Sequence, residues 1–436
     1  MAGTYKDEKA ILNKLKIDKL NPMQEEAQSV IQSNADTVLL SPTGTGKTLA
    51  FLLPIFASFD PECAEIQAMI IVPSRELAIQ IDQVAKEMGT GYKTNAVYGG
   101  RTGSKDRIEI KHRPALLIGT PGRIADHLRR EAFATDFIST IVLDEFDKSL
   151  EIGFESEMKD ILRLLPKVNK RILTSATQKV EIPRFVGLEE PVYVDYLKWS
   201  SSQLQIKTIM SPEKDKLNTL IDALRHIGNQ PGIVFCNFKE TIQRVSDHLT
   251  NNDISHGCFY GGMEQVDRER ALIKFRNGTY QLIIATDLAA RGIDIPEMKF
   301  IIHYQLPPRE EEFTHRNGRT ARMKSDGTAY VIQWVKEKLP EFILDATVES
   351  LKNKPIPKPP IWQTLLISGG RKDKISKGDI AGLFFKQGKL NKEELGIIEI
   401  KQECAFVAVH KSKVKSVIQL TNNTRLKKKK VRVSVG

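Results

Sequence analysis

The chain has 436 residues, 41% of them hydrophobic and 27% charged, an ordinary globular composition sized for two to four domains. Its longest apolar run, around Leu49 to Ala57, is too short to span a bilayer and contains Pro54, and the N-terminus lacks the apolar core of a secretory leader. These features exclude a membrane partner and predict a cytoplasmic chain. Cys63, Cys236, Cys258 and Cys404 are scattered, with neither metal-ligand spacing nor a disulfide framework.

Basic residues outnumber acidic ones by 65 to 54, and the excess is confined to one end. Residues 361–436 hold 17 basic and 6 acidic side chains, while the first 360 balance at 48 of each. That C-terminal segment is expected to meet a polyanion.

In chain order, apolar strands at Val38–Leu40, Ala68–Val72, Ala115–Ile118, Thr140–Leu143 and Arg171–Leu173 alternate with helical stretches such as Glu76–Met88 and Glu155–Leu165. The rhythm predicts βαβ units and a parallel sheet. It recurs after Leu204, with strands at Gly232–Cys236, Gln281–Ala285, Lys299–Tyr304 and Thr328–Gln333. Helices are expected there at Lys214–His226, Glu240–Asn251 and Gln265–Arg276. Lys352 to Pro360 reads as an extended, semi-rigid connector. Beyond it come strand Gln363–Ser368, helix Gly378–Lys386, strands Gly396–Lys401 and Cys404–Val409, helix Lys413–Thr421 and strand Lys428–Ser434. This order suits a small RRM-like α+β sandwich.

Ser41-Pro42-Thr43-Gly44-Thr45-Gly46-Lys47-Thr48 follows the first strand and precedes a helix. Glycines there let backbone N–H groups turn onto phosphates, Lys47 can reach the β- and γ-phosphates, and the Thr48 hydroxyl can ligate Mg²⁺. Ser41 stands where the usual pattern has its first glycine. Strand Thr140–Leu143 delivers Asp144-Glu145-Phe146-Asp147 to its C-terminal end, where open α/β sheets bind ligands. Asp144 is placed to hold Mg²⁺, and Glu145 to position and deprotonate a water. Together the two elements predict hydrolysis of a nucleoside triphosphate.

The Asp144–Asp147 tetrapeptide resembles the signature of the DEAD-box RNA helicases, and further motifs agree in order over about 340 residues. By that resemblance Gln24 reads the adenine edge, and Thr43, Gly44, Thr45 and Gly46 join Lys47 and Thr48 on the phosphates. Arg75, Gly100, Thr120 and Arg123 look like RNA-backbone contacts of the first domain, and Ser175-Ala176-Thr177 is similar to the element coupling hydrolysis to strand separation. In the second half the resemblance places Arg268 and Thr286 near RNA and Asp294 on the ribose. His315-Arg316-Asn317-Gly318-Arg319-Thr320-Ala321-Arg322 is expected to open a helix, with Arg319 and Arg322 on one face as arginine fingers for the γ-phosphate. Two positions depart from the family: Phe146 replaces an alanine, and Asn317 an apolar residue.

From Ile367 onward the chain resembles the RNA-binding domain of DbpA-type DEAD-box proteins, which act in large-subunit assembly and recognise a hairpin of ribosomal RNA. Weak base stacking on the sheet is expected, because Phe406 is the lone aromatic of its strand; Arg371, Lys372 and Lys374, with Lys427–Lys430, would contact phosphates instead. The fold class expected is α/β, with tandem RecA-like parallel-sheet domains at 1–198 and 199–345. A linker at 346–360 and the RRM-like domain at 361–436 follow. The resemblance implies a monomeric ATP- and Mg²⁺-dependent RNA helicase remodelling ribosomal RNA in the pre-ribosomal particle. Rival expectations are a general RNA helicase of mRNA turnover or cold adaptation, a slow ATP-dependent RNA clamp, and a DNA translocase on the same scaffold.

Overall fold

The computed structural model describes residues 7–100, 110–177, 181–198, 204–287, 298–320, 326–343 and 346–436. Strands β1 (Asp36–Leu40), β2 (Ala68–Ile71), β3 (Thr94–Val97), β4 (Leu116–Gly119), β5 (Thr140–Leu143), β6 (Lys170–Ser175) and β7 (Val192–Asp195) build a parallel sheet. Its order is β3-β4-β2-β5-β6-β1-β7. Every residue of β1, β2, β4 and β5 is buried, as parallel strands covered on both faces require. Alternate side chains feed opposite cores: Leu39, Ile70, Ile118 and Val142 on one face, Val38, Met69, Leu117 and Ile141 on the other.

A second parallel sheet holds β8 (Leu204–Ser211), β9 (Gly232–Phe235), β10 (Gly257–Phe259), β11 (Leu282–Ala285), β12 (Phe300–His303), β13 (Gly327–Trp334) and β14 (Thr347–Val348). Its order, β10-β11-β9-β12-β13-β8-β14, repeats that of the first sheet position for position. The sequence reading missed β3, β7, β8, β10 and β14. Four of these are short edge strands. The fifth, β8, lies beside the two-residue β14 and leaves Gln205 and Met210 exposed, so none shows a continuous apolar run.

The third sheet is antiparallel, with β15 (Trp362–Ile367), β16 (Leu395–Ile400), β17 (Ala405–His410) and a short last strand in the order β16-β17-β15-last. Helices Lys377–Lys386 and Val414–Thr421 cover one face, over Leu365, Ile367, Val407 and Val409. The strand expected at Lys428–Ser434 is divided. Thr424–Leu426 (β18) and Lys429–Val431 (β19) form a separate hairpin, and only Val433–Val435 (β20) pairs with β15. Lys427 takes a left-handed backbone at that hairpin's turn (φ 54°), which ends the run that sequence periodicity suggested.

The second and third sheets belong to one compact unit. The outer face of the third sheet meets the C-terminal end of helix Gln265–Arg276. Arg276 Nη2 donates to both carboxylate oxygens of Glu399 at 2.9 Å. Lys401 Nζ lies 2.6 Å from Glu269 and 2.9 Å from Glu399. Thr279 and Thr364 share a buried hydroxyl contact of 2.7 Å, with Asn277 Nδ2 3.3 Å from the same Thr364 oxygen. Gly278 takes φ 73°, and a Cβ there would come within 3.2 Å of the Trp362 ring. Burial works against the charge of Glu399, yet Arg276 and Lys401 hold its carboxyl below the usual range.

Candidate nucleotide and RNA site

The order of the first sheet sorts the motifs. Strands β5, β6 and β1 are neighbours, and their C-terminal ends carry Asp144, Ser175 and Ser41. On the other side, β3, β4 and β2 are neighbours, and beyond them come Gly99-Gly100, Thr120 and Arg75.

The phosphate loop is held from within. Ser41 is fully buried, its N–H donates to Ser175 O at 3.0 Å, and its hydroxyl donates to Thr45 Oγ1 at 2.8 Å. The serine in place of glycine therefore ties the two ends of the loop. Gly44 and Gly46 both lie in the left-handed region, at φ 87° and 88°. Lys47 begins helix Lys47–Ala57 and curls over its own loop, with Nζ 2.5 Å from Ser41 O and 3.0 Å from Pro42 O. Thr43 and Thr48 are half-buried on the same loop and first helical turn.

Gln24 sits on the helix Pro22–Ser33, opened by a capping box with Asn21. Its Oε1 accepts from Asn21 N–H at 3.0 Å, while Nε2 donates to Gly46 O at 3.2 Å. Asn21 Nδ2 donates to Thr45 O at 3.0 Å. The expected adenine reader is thus tied to the phosphate loop. A Cβ on Gly46 would fall 2.4 Å from Gln24 Nε2 and displace that amide, and the φ of 88° itself favours glycine.

Asp144 is buried at the end of β5, and its N–H donates to Ile71 O at 3.0 Å. Its Oδ1 accepts from the Thr174 hydroxyl. Burial pushes the carboxyl above its ordinary range, while Thr174 and the Lys47 charge act in the opposite sense. Glu145 takes a left-handed backbone (φ 47°) at the start of helix Phe146–Glu151, and its N–H donates to the same Thr174 hydroxyl at 3.2 Å. Asp147 accepts from Thr177 Oγ1 at 3.1 Å, which links Ser175-Ala176-Thr177 to the acidic tetrapeptide. Thr174 and Asn21 escaped the sequence reading, because isolated hydroxyl and amide residues carry no pattern.

At the other end of the sheet, Ser74 caps helix Arg75–Met88, and Gly100 lies in the left-handed region at φ 86°. A Cβ on Gly100 would fall 2.6 Å from Arg75 Nη1, so these two expected RNA residues adjoin. Thr120 precedes helix Pro121–Arg129, and Arg123 on its first turn lies 3.6 Å from Asp126.

Three family models match in sequence order: DEAD/DEAH box helicase over residues 21–185, helicase conserved C-terminal domain over 215–324, and DbpA RNA binding domain over 364–435. The ATP-dependent RNA helicase DbpA of Bacillus subtilis (strain 168) is 30% identical, covering 93% of each chain. The protein of that name from Escherichia coli (strain K12) is 29% identical over 97% of this chain and 95% of its own. The chain belongs to the DEAD-box ATP-dependent RNA helicases. Among solved structures it is similar to S. cerevisiae Dbp5 bound to RNA and ADP BeF3, with TM-score 0.67, 26% identity and coverage of 76% of this chain and 88% of that one. Mss116p bound to ssRNA and AMP-PNP gives the same TM-score and identity, over 76% of this chain and 73% of that one.

Both departures from the family are accommodated in this helicase. Phe146 is 2% exposed and packs in the core with Leu143, Met158 and Ile161, so its ring lies within one hydrophobic face of the sheet. Asn317 is likewise buried and hydrogen-bonded to His303.

The arginine motif requires a correction. It closes a helix instead of opening one: the helix spans Glu310–Asn317, with Glu310, Glu311 and Glu312 in its first turn and Gly318 beyond its last residue. Acidic residues favour the positive end of a helix and glycine its end, which fixes the direction. Arg319 lies past the helix and is 5% exposed, while Arg322 and Asp294 lie outside the described residues. Arg316, not singled out from sequence, is the buried hub. Its guanidinium pairs with Asp287 through two nitrogens and donates to Gln305 O and Asn237 Oδ1, each at 2.7 Å. Its Cζ also stands 5.1 Å over the Phe235 ring. Arg268 stacks 4.9 Å over the Phe259 ring, and the Phe259 carbonyl accepts from Thr286 N–H at 3.3 Å, so these two expected RNA residues both touch Phe259, one at its side chain and one at its backbone.

In the C-terminal domain, Arg371, Lys372 and Lys374 lie exposed on one turn. Aspartates hold the lysine hairpin beside it: Lys429 pairs with Asp373 of the turn at 2.8 Å, and Lys427 with Asp379 of the following helix at 2.7 Å. The Lys427 and Ser376 contacts hold the Asp379 carboxyl at about 2. Lys372 pairs with Glu403 at 2.8 Å.

Proposed function

We propose that this RNA helicase hydrolyses ATP at the β5-β6-β1 end of the first sheet and uses the cycle to remodel ribosomal RNA during large-subunit assembly. Thr43, Gly44, Thr45, Gly46 and Lys47 would cradle the phosphates and Gln24 would read adenine. The Thr48 hydroxyl and the Asp144 carboxylate are hard oxygen donors of the kind Mg²⁺ takes, and they would hold it. Bound there, Mg²⁺ would supply neutralisation of charge on the β- and γ-phosphate oxygens. Glu145 would orient the attacking water and accept its proton. Arg319 and Arg322 would stabilise the transferring phosphoryl group, and Asp294 would contact the ribose. Arg75, Gly100, Thr120, Arg123, Arg268 and Thr286 would follow the RNA backbone.

The observation that carries the RNA assignment is the state of the third sheet. Thr364 and Phe406, on its outer face, are 0% and 5% exposed, and Thr364 is bonded to Asn277 and Thr279. Thr364 and Phe406 therefore offer bases no open surface of the kind an ordinary RRM presents. Recognition falls to the basic turn Arg371–Lys374 and the hairpin bound to it, which suits a shaped, structured RNA over an unstructured one. We place the protein in the cytoplasm as a monomer acting on the pre-ribosomal particle; no helix among the described residues is long and apolar enough to cross a membrane. Crosslinking in cells followed by sequencing of the bound RNA tests the assignment. Recovery of a large-subunit rRNA hairpin supports it, and a broad spread over mRNA overturns it.

A further inference from the structure

Thr174 belongs to no motif singled out in the sequence, yet it touches both carboxylate-bearing residues of the proposed centre. It is fully buried on β6, which runs parallel to β5 with Leu143 opposite Leu173, so the register carries Thr174 alongside Asp144. Its hydroxyl donates to Asp144 Oδ1 and accepts the Glu145 N–H at 3.2 Å. The residue making that second bond is a non-glycine in the left-handed region, a conformation that persists where surrounding contacts over-determine it. A threonine is stiff at χ1, so a buried one presents its hydroxyl in a fixed place.

We propose that Thr174 is a positioning residue for the metal-holding carboxylate: its hydroxyl fixes the Asp144 side chain and the turn of Glu145, so that both are set before nucleotide and Mg²⁺ arrive. This rests on the reading of Asp144 as the carboxylate that holds Mg²⁺. Without the hydroxyl, Oδ1 loses a donor that the buried setting does not replace with water. The carboxylate can then rotate away from the position that Mg²⁺ requires. Partners of this kind, one bond removed from a metal, change its affinity on the order of 10- to 100-fold.

The test uses the full chain and a non-hydrolysable ATP analogue bearing a fluorophore on the ribose, titrated with and without Mg²⁺. Thr174→Val keeps the shape and removes the hydroxyl. It should raise the Mg²⁺ concentration needed to tighten analogue binding by about 10- to 100-fold, while metal-free binding stays near wild type and the melting temperature falls by an amount the serine variant recovers. Thr174→Ser should restore the Mg²⁺ response. A wild-type Mg²⁺ response in the valine variant, or no rescue by serine, overturns the proposal. Should the valine variant fail to fold, Thr174→Cys carries the same measurement with the same two outcomes. Asp144→Asn separates the two readings. If it responds to Mg²⁺ like wild type, the metal assignment of Asp144 is wrong. If it loses the response while Thr174→Val keeps it, Thr174 alone is misassigned.

Discussion

His303 Nε2, at the end of β12, lies 3.0 Å from Asn317 Oδ1, and both side chains are buried. The imidazole also stacks on Phe313, with ring centres 4.5 Å apart. Burial pushes its pKa down to about 3, helped by the Arg316 charge and opposed by the Asn317 bond. The polar residue that breaks the family's apolar pattern at 317 thus gives the Nε2 of this histidine its partner, while Nδ1 stays buried without one.

This pair predicts acid sensitivity. The folded pKa of His303 is below the ordinary histidine value of 6.5, so the unfolded chain binds the proton more readily. Its stabilising contribution is complete above about pH 6.5 and is lost as the pH drops towards 3, a loss of about 2 kcal/mol by pH 5. Melting curves at pH 7 and pH 5 should show His303→Gln losing less stability on acidification than wild type. Equal losses would remove His303 from this role. Asn317→Leu should cost about 1–3 kcal/mol at neutral pH by leaving the buried Nε2–H without an acceptor.

Glu145→Gln should bind ATP and RNA and hydrolyse at least ~10²-fold more slowly, because an amide keeps size and hydrogen bonding but cannot take the proton. Single-turnover phosphate release, with nucleotide and RNA binding measured in parallel, checks this. Near-wild-type turnover removes the base role.

Two arginines of one motif should behave differently. Arg319→Ala should lower RNA-stimulated ATPase by about 10³-fold, the scale of a lost arginine finger, in a protein that still folds. Arg316→Ala leaves Asp287 without its ion-pair partner and should cost about 3–5 kcal/mol of stability. Thermal melting beside ATPase assays separates them: a stable Arg316→Ala, or an active Arg319→Ala, contradicts the assignment.

Legibility in the sequence followed physical rules. Strands β1, β2, β4 and β5 announced themselves because strands buried on both faces need unbroken apolar runs. Their loops carried the phosphate and acidic motifs with them. What stayed hidden depended on three-dimensional neighbours. Thr174 acquires meaning from the parallel register that sets it beside Asp144. Arg316 and Asp287 are 29 residues apart and meet through the fold alone. The helix at Glu310–Asn317 begins on three glutamates and ends at the arginine motif, a direction carried by its terminal charges and not by the motif.

Removing residues 361–436 should leave an ATPase that no longer prefers a particular RNA. The proposed nucleotide residues all precede residue 345, whereas the whole excess of positive charge follows residue 360. Phosphate contacts give affinity and a steep salt dependence, but selectivity needs a shaped surface. Here that surface is the turn Arg371–Lys374, braced by Lys429 on Asp373 and by Lys427 on Asp379 and on the Lys374 carbonyl. Arg371→Ala and Lys374→Ala should therefore weaken binding of a large-subunit rRNA hairpin more than Lys428→Ala, whose side chain is exposed. Lys429→Ala should fall between them, because it loosens the turn through Asp373. The measurement is ATPase stimulation by that rRNA fragment against an unrelated RNA of equal length, at several salt concentrations. If full-length and truncated chains give the same ratio between the two RNAs, the C-terminal domain is only an electrostatic anchor and the ribosomal assignment falls.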